Sequence, residues 1–322
     1  MMKKRFTWSK ALIYIVLSVA AVISLLPLYW VFSTSLQLSS YQDEELDRPT
    51  SYVNANPPKM YPIGITEYVE HWKKANDAKK AGDIKEEAYH RDIMDQIIAD
   101  TFSSFKALFQ QNKMGLWFLN SLYIGIVVTI GILLLDSMAG YVLAKKRFPG
   151  RNFIFWLIIS TMMIPSQVTL VPMFIMVRDL NLMDTHWALI LPDLSMVFGV
   201  FLMRQFMLSI PDELIEAAKI DGASEWKTYW KIVIPLAKPG LAALGIFTFM
   251  NVWNSFLWPI IVLNNSDLFT LPVGLKTLQD ANLADFKLLM SGAAIAAIPM
   301  IIVFILFQRH FVKGLTLGGV KE

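Results

Sequence analysis

Residues 114–151 read MGLWFLNSLYIGIVVTIGILLLDSMAGYVLAKKRFPGR. From 114 to 144 the only charged side chain is Asp136. A helix needs roughly 20 mostly apolar residues to cross a bilayer, and this run exceeds that. It closes on four cations, Lys145, Lys146, Arg147 and Arg151, the residue types that hold a helix end on the cytoplasmic side. The same pattern recurs along the chain. Residues 11–36, 152–177, 239–266 and 288–308 are uncharged, and 187–203 carry only Asp193. The sequence predicts an all-α membrane protein with six transmembrane helices. Lys3, Lys4 and Arg5 precede the first apolar run. That run is too long for a signal-peptide core and continues through Leu25, Leu26, Pro27, Leu28, Tyr29 and Trp30, so it reads as a retained span.

Composition agrees with this reading. Of 322 residues, 55% are hydrophobic and 17% charged, against about 25% charged in soluble domains. The charge is also gathered. Residues 37–113 hold 10 Lys and Arg and 13 Asp and Glu, 23 of the chain's 55 charges. These figures exclude a soluble enzyme, a disordered chain and a nucleic-acid binder, and they predict one polar insertion between the first two spans. The chain has no cysteine, hence no disulfide, zinc thiolate or thiol nucleophile. His71, His90, His186 and His310 are too scattered for a metal motif, and no phosphate-binding Gly-x-x-x-x-Gly-Lys-Ser/Thr loop is present.

The Lys and Arg bias sets the topology. With the N-terminus inside, sixteen of the 29 Lys and Arg face the cytoplasm: Lys3, Lys4, Arg5, Lys10, Lys145, Lys146, Arg147, Arg151, Arg204, Lys219, Lys227, Lys231, Lys238, Arg309, Lys313 and Lys321. Only Arg178, Lys276 and Lys287 fall in short outer loops. Long loops are exempt from the rule, so the insertion is extracytoplasmic and both termini are cytoplasmic. Within it, residues 41–62 read as irregular. Asp83 and Glu86 have capping-box spacing. Ile93, Ile97, Phe102, Phe105, Leu108 and Phe109 recur at helical spacing, which predicts a helix over about 84–111 after a shorter one near 66–81. The chain divides into residues 1–36, the insertion 37–113, a core of 114–310 and a tail of 311–322.

The loop at 209–240, between spans four and five, carries the most specific signal. Pro211 suits a helix start, and Asp212 and Glu213 suit its positive end. Gly222 can stop that helix in the left-handed conformation. Ser224 can cap a second helix, which Pro235 ends or kinks. Ala217 and Ala218 offer a narrow surface for close approach by another protein. An amphipathic helix lying on the membrane is the simpler reading of such a loop.

Glu216-Ala217-Ala218, then Gly222, Ile232 and Ile234-Pro235 at their spacings, resemble the signature loop of ABC-importer permeases. With Asp221 and Ala223, the loop is similar to the carbohydrate-uptake branch, to which the second membrane subunit of the maltose importer belongs. Asn120-Ser121-Leu122, residues 139–144 with Arg147-Phe148-Pro149-Gly150, Met163-Ile164-Pro165, Pro172, Asn181-Leu182, and Gly314-Leu315-Thr316 with 318–321 extend the resemblance to nearly everything outside 37–113. The resemblance implies a permease subunit of a binding-protein-dependent sugar or oligosaccharide importer in the bacterial cell membrane. Its coupling helix would rest on a cytoplasmic ATPase through Glu216, Ala217, Ala218, Asp221, Gly222, Ile232 and Pro235. The implied partners are a homologous second permease, two ATPase subunits carrying ATP and Mg, an extracytoplasmic substrate-binding protein and membrane lipid. This chain would bind no cofactor or metal and hold no catalytic residue. The glycine-rich tail would reach between the ATPase subunits or, more simply, fray.

Span five carries Asn251, Trp253, Asn254 and Trp258 in an apolar helix. Asn254 and Trp258 are related by i, i+4. Amides pair with sugar hydroxyls and indoles offer a flat face to a sugar ring. The plainer reading places Trp258 in an interfacial aromatic belt and gives the asparagines inter-helical bonds. Asp136 also has two readings, a structural hydrogen bond, which is favoured, or the ion site of a secondary transporter. A membrane-embedded enzyme lacks the clustered His, Asp or Glu it would need. The helices of the insertion either dock a substrate-binding protein or form a solvated cap.

Overall fold

The computed structural model describes residues 8–37, 63–281 and 285–317. Lys3–Arg5, the stretch 41–62 expected to be irregular, and the end of the tail from 318 lie outside the described residues. Every regular element among the described residues is helical. In chain order these are α1 (Trp8–Ser35), α2 (Ile63–Ala81), α3 (Ile84–Thr101), α4 (Ser103–Gln110), α5 (Met114–Lys145), α6 (Arg151–Ser160) and α7 (Ser166–Asp179). They continue with α8 (Trp187–Ile190), α9 (Val197–Leu208), α10 (Asp212–Ile220), α11 (Glu225–Thr228), α12 (Ile234–Leu236), α13 (Lys238–Trp253), α14 (Leu257–Val262), α15 (Leu271–Ala281) and α16 (Phe286–Leu317).

Three helical stretches are long and apolar enough to cross a membrane: Leu12–Ser35, Met114–Lys145 and Phe286–Phe307. Two bent pairs bring the candidates to five. Three of the six expected spans are therefore not straight helices, and proline accounts for much of the difference. The run 152–177 bends by 99° between α6 with its 3-10 turn and α7. Ile164 precedes Pro165 and is extended there, at φ −84° and ψ 116°, because the pyrrolidine ring disfavours a helical residue before it. The run 187–203 is one four-residue helix and the start of α9, separated by residues 191–196, which include Pro192. In the fifth run α13 stops at Trp253, and α14, with Pro259 inside it, follows after a break.

The chain forms two compact units. In the first (Met1–Met114 with Leu275–Ala297) α2 and α3 make a helical hairpin. Gly82, at φ +78°, turns the chain. Asp83 Oδ1 then accepts from the N–H groups of Lys85 and Glu86, both at 3.1 Å. The reciprocal half of a capping box is replaced, since the Asp83 N–H donates to the Ala78 carbonyl at 3.0 Å. Ala75, Ala78 and Ile97 are buried, and His71 Nδ1 lies 2.8 Å from His90 Nδ1. The expected helix over 84–111 is interrupted at Phe102. The Thr101 and Ser103 hydroxyls donate to the carbonyls of Ile97 and Asp100 at 2.7 and 2.6 Å, competing with the regular ladder. Lys287 Nζ donates to the Asp100 carbonyl at 2.5 Å, and Ser291 Oγ to the Ser35 carbonyl at 3.3 Å, tying α16 to the earlier helices of this unit.

The second unit (Gly115–Gly274 with Ile298–Glu322) holds a core in which Val128, Met203, Met207, Val233, Leu244 and Val262 are all fully buried. Gly140 lets α5 meet α9 at backbone distance, where a Cβ would stand 2.7 Å from Met203 Cβ and 2.9 Å from Arg204 N. One turn earlier Asp136 is buried against the start of α9. Its Oδ1 accepts from Ser195 Oγ at 2.9 Å and its Oδ2 from the Met196 N–H at 3.0 Å. The carboxylate thus satisfies the entry to α9, the structural reading that its position in a span favoured.

Candidate coupling site

The segment 210–240 forms the helix, turn and helix that its punctuation predicts. Pro211 is extended at ψ 134° and precedes the first helical residue by one position. Asp212 and Glu213 occupy the first turn of α10, where the helix dipole favours acidic residues. At the other end Gly222 stands at φ +73°. Its N–H donates to the Lys219 carbonyl at 3.0 Å, and the Ala223 N–H to the Ala218 carbonyl at 2.9 Å, a Schellman closure. Ser224 Oγ then accepts from the Lys227 N–H at 3.3 Å and caps α11. Beyond α11, Tyr229–Val233 is π-helical. Pro235 has no N–H to give the Lys231 carbonyl, and the wider winding precedes that gap. The chain bends by 78° between this arm and α13.

α10 has two faces. Ile215 and Ala218, three residues apart, are buried, at 5% and 6% exposure. Ile215 joins the core that contains Ile210, Tyr141 and Tyr229. Glu216, Ala217 and Asp221 face outward. The surface expected of an Ala217-Ala218 pair is thus formed by Ala217 alone, while Ala218 lets α10 lie close on its own unit. Ile220 was not singled out by sequence, yet it is 87% exposed, and Trp226 is 60% exposed. An apolar residue between Lys219 and Asp221 was the available signal. Ile232 is half-buried and Pro235 exposed.

One face of α5 holds this segment from behind. Ser137, Tyr141 and Lys145 are spaced i, i+4, i+8. Ser137 Oγ lies 2.6 Å from Tyr229 Oη, and the Tyr141 hydroxyl donates to Glu225 Oε2 at 3.1 Å. Lys145 Nζ donates to Asp212 Oδ1 at 2.7 Å and to the Ile210 carbonyl at 2.5 Å. Lys146 pairs with Glu225. The Lys145 hydrogen bond and charge hold the Asp212 carboxyl below its ordinary value. The bond from Lys146 does the same for Glu225.

The four residues expected to line a pathway do not share a surface. α13 ends at Trp253, and Asn254 is its C-cap, so Trp258 no longer follows Asn254 on one helical face. Trp253 is buried against Phe118 and Phe249, with ring centroids 5.5 and 5.8 Å away. Trp258 is buried and its Nε1 donates to the Ala188 carbonyl at 2.9 Å. Asn251 and Asn254 remain exposed, and their Nδ2 groups bond back to the carbonyls of Phe247 and Met250 at 3.0 and 2.8 Å. Asn120 and Ser121 fasten the loop after α14. Asn120 Nδ2 donates to the carbonyls of Asp267 and Phe269, and Ser121 Oγ accepts from the Leu271 N–H.

Residues 136–317, more than half the chain, match the family described as binding-protein-dependent transport system inner membrane component. The arabinooligosaccharides transport system permease protein AraQ of Halalkalibacterium halodurans is 45% identical over 205 residues, covering 64% of this chain and 74% of that protein. AraQ of Bacillus subtilis is 40% identical over 222 residues, covering 69% and 79%. The sn-glycerol-3-phosphate transport system permease protein UgpE of Yersinia pestis bv. Antiqua is 38% identical over 203 residues, covering 62% and 72%. A chain of a bacterial ABC transporter involved in the import of the acidic polysaccharide alginate shares the fold, with a TM-score of 0.69 at 22% identity, over 96% of this chain and all of that one. The reading of Asp136 as the ion site of a secondary transporter finds no support among these relatives, and the carboxylate is already used at the start of α9. The chain belongs to the family of binding-protein-dependent transport system inner membrane components, the multi-pass permease subunits of bacterial ABC importers.

Proposed function

We propose that this chain forms half of the translocation pathway of an oligosaccharide importer and receives the ATPase stroke through α10. The observation that carries the coupling reading is the division of α10. Ile215, Ala218 and the Lys145–Asp212 pair anchor its inner side, while Glu216, Ala217 and Ile220 stand free on the other. Such a helix is rigidly joined to α5 and presents a charge, a small residue and an apolar knob to a groove on another protein. Asp221, Gly222, Ile232 and Pro235 shape the turn and the return arm. Substrate class follows from the two AraQ relatives, whose names specify arabinooligosaccharides.

The topology that goes with this reading has six membrane passages, the broken runs counting as passages, with both termini and α10 cytoplasmic. The sixteen-to-three partition of Lys and Arg supports it. ATP and Mg belong to two partner ATPase subunits, and a homologous second permease completes the pathway. α2–α4 stand outside, where they would meet the substrate-binding protein. Asn251 and Asn254 are the pathway residues retained in this reading, because they remain exposed.

The experiment is reconstitution with the ATPase subunits, the second permease and a sugar-loaded binding protein. Gly222→Asp puts a Cβ and an acidic group at φ +73° in the turn of α10. It should abolish the stimulation of ATP hydrolysis by loaded binding protein while the complex still assembles. Full stimulation in that assembled variant would overturn the coupling role. Uptake of labelled arabino-oligosaccharides tests the substrate class separately.

A further inference from the structure

The loop between α5 and α6 carries positive charge that is not taken up in ion pairs, although Arg147 also acts at longer range on Asp212. Lys145 and Lys146 are paired with Asp212 and Glu225. Arg147, Arg151 and Arg204 have no carboxylate within ion-pair distance among the described residues. Arg151 instead donates from Nη1 to the Lys146 carbonyl at 3.2 Å. Arg204 donates from Nε to the Leu143 carbonyl and lays its guanidinium 3.9 Å from the centre of the Phe155 ring. Arg151 and Arg204 are close enough for their charges to repel. An anion is favoured where unpaired guanidinium charge gathers, and Arg147 and Arg151 line one cavity.

The loop also has room for one. Gly150, at φ +81°, turns the chain into α6, with the Arg151 N–H donating to the Phe148 carbonyl at 3.4 Å. The fold leaves an open cavity of about 300 Å³ lined by Arg147, Phe148, Gly150, Arg151, Asn152 and Phe153. Beside it, Phe153, Trp156 and Leu157 lie on one face of α6 at 71%, 67% and 56% exposure. A cationic cavity continuous with an apolar helix face is two-part chemistry. Guanidinium forks suit a phosphate. Tryptophan and its neighbours suit the boundary between headgroups and acyl chains.

We infer that this cavity binds the headgroup of an anionic phospholipid, its phosphate between Arg147 and Arg151 and its acyl chains along Phe153, Trp156 and Leu157. A free phosphate would use the arginines and leave the apolar face idle. An acidic surface of an ATPase subunit would need the arginines but not the aromatic stripe. The lipid is the one occupant that engages both.

The test is native mass spectrometry of the assembled transporter exposed to phosphatidylglycerol or phosphatidylcholine. The wild type should retain phosphatidylglycerol in preference. R147Q/R151Q should lower that retention, by about fivefold for each arginine neutralised, and leave phosphatidylcholine unchanged. R147K/R151K, which keeps the charge, should retain most of it. Equal retention of the two lipids by the wild type overturns the proposal, and this comparison decides the matter even when R147Q/R151Q does not assemble. Unchanged phosphatidylglycerol retention in R147Q/R151Q also overturns it, whether or not ATPase subunits are lost at the same time. Displacement of the lipid by millimolar inorganic phosphate would assign the cavity to a free anion instead.

Discussion

Lys145 Nζ lies 2.7 Å from Asp212 Oδ1 and 2.5 Å from the Ile210 carbonyl, and its side chain is only 4% exposed. A nearly buried ammonium at the end of the long helix α5 therefore grips the first turn of α10, the helix proposed for coupling. Lys145→Ala removes the donor to both acceptors. Stimulated ATP hydrolysis should fall several-fold in the assembled transporter, while unstimulated hydrolysis persists. Asp212→Asn keeps an acceptor and should have the smaller effect. A wild-type coupling ratio in Lys145→Ala would show that the grip is incidental.

The same contacts carry a pH dependence of known sign. Asp212 is depressed by its bond to Lys145, and Glu225 by its bond to Lys146. Groups lowered in the folded state stabilise it above their unfolded value, about pH 4 for carboxylates, and that contribution is lost as pH falls through the folded value. Hydrogen exchange of residues 210–228 should therefore be flat from pH 8 to 5, after correction for intrinsic rates, and rise below about pH 4. Glu225→Gln should shrink that rise. An increase in corrected exchange between pH 8 and 6 would contradict the assignment.

Gly199 faces the Asp136 carboxylate so closely that a Cβ there would overlap it. Gly199→Ala must push α9 away from α5, an overpacking that costs about 1–3 kcal/mol. Asp136→Leu leaves the Ser195 hydroxyl and the Met196 N–H without their acceptor, a loss of about 1–3 kcal/mol for a buried group. Asp136→Asn keeps one oxygen and should be milder. Thermal unfolding in detergent should rank wild type above Asp136→Asn, and that above Asp136→Leu. Equal midpoints would mean that the carboxylate is not what holds the start of α9.

Sequence legibility followed the range of the interactions. Gly222, Ser224 and Asp83 act on backbone groups within a few residues, so their spacing revealed the turn and both caps. The long apolar runs of α1, α5 and α16 were legible from length alone. The inward face of Ala218 was not, because it depends on the core that Ile215 shares with Tyr141 and Tyr229 from other elements. Nor was the burial of Trp258, whose partner, the Ala188 carbonyl, lies 70 residues away. Hydropathy also counts residues 152–177 and 187–203 as single runs, since an apolar residue contributes equally on either side of a bend. Pro165 and Pro192 showed where the helices could break, but not the 99° angle of the first break.

His71 and His90 form a second pH-sensitive contact, in the α2–α3 hairpin. Their Nδ1 atoms are 2.8 Å apart, so one donates and the other accepts, and the pair holds one proton between them. Burial, then the charges of His90 and Lys74, press the His71 value down, while Glu70 opposes them. Tyr89 packs its ring edge on His90. A lowered histidine stabilises the folded hairpin above the unfolded value of about 6.5 and withdraws that support as pH falls below it. Hydrogen exchange over residues 63–101 should quicken from pH 7.5 to 5, beyond the intrinsic rate change, while that of 210–228 does not. His71→Phe should remove the difference.

The residues of the former span-five motif separate into two kinds, and two variants distinguish them. Trp258 fills core volume and donates to Ala188, so Trp258→Ala should cost about 3–5 kcal/mol and lower the yield of folded chain. Asn254 is exposed at the C-cap of α13, and its Nδ2 already serves the Met250 carbonyl, so in the proposed pathway its Oδ1 is the atom that would accept from a sugar hydroxyl. Asn254→Ala should leave unfolding nearly unchanged and lower the uptake rate of oligosaccharide at saturating binding protein. Asn251→Ala, alike in exposure and bonding, should act in the same direction. Loss of folding without a transport defect in the correctly folded fraction would make Asn254 a helix cap and nothing more. Loss of transport at wild-type stability is the outcome that a residue lining the path requires.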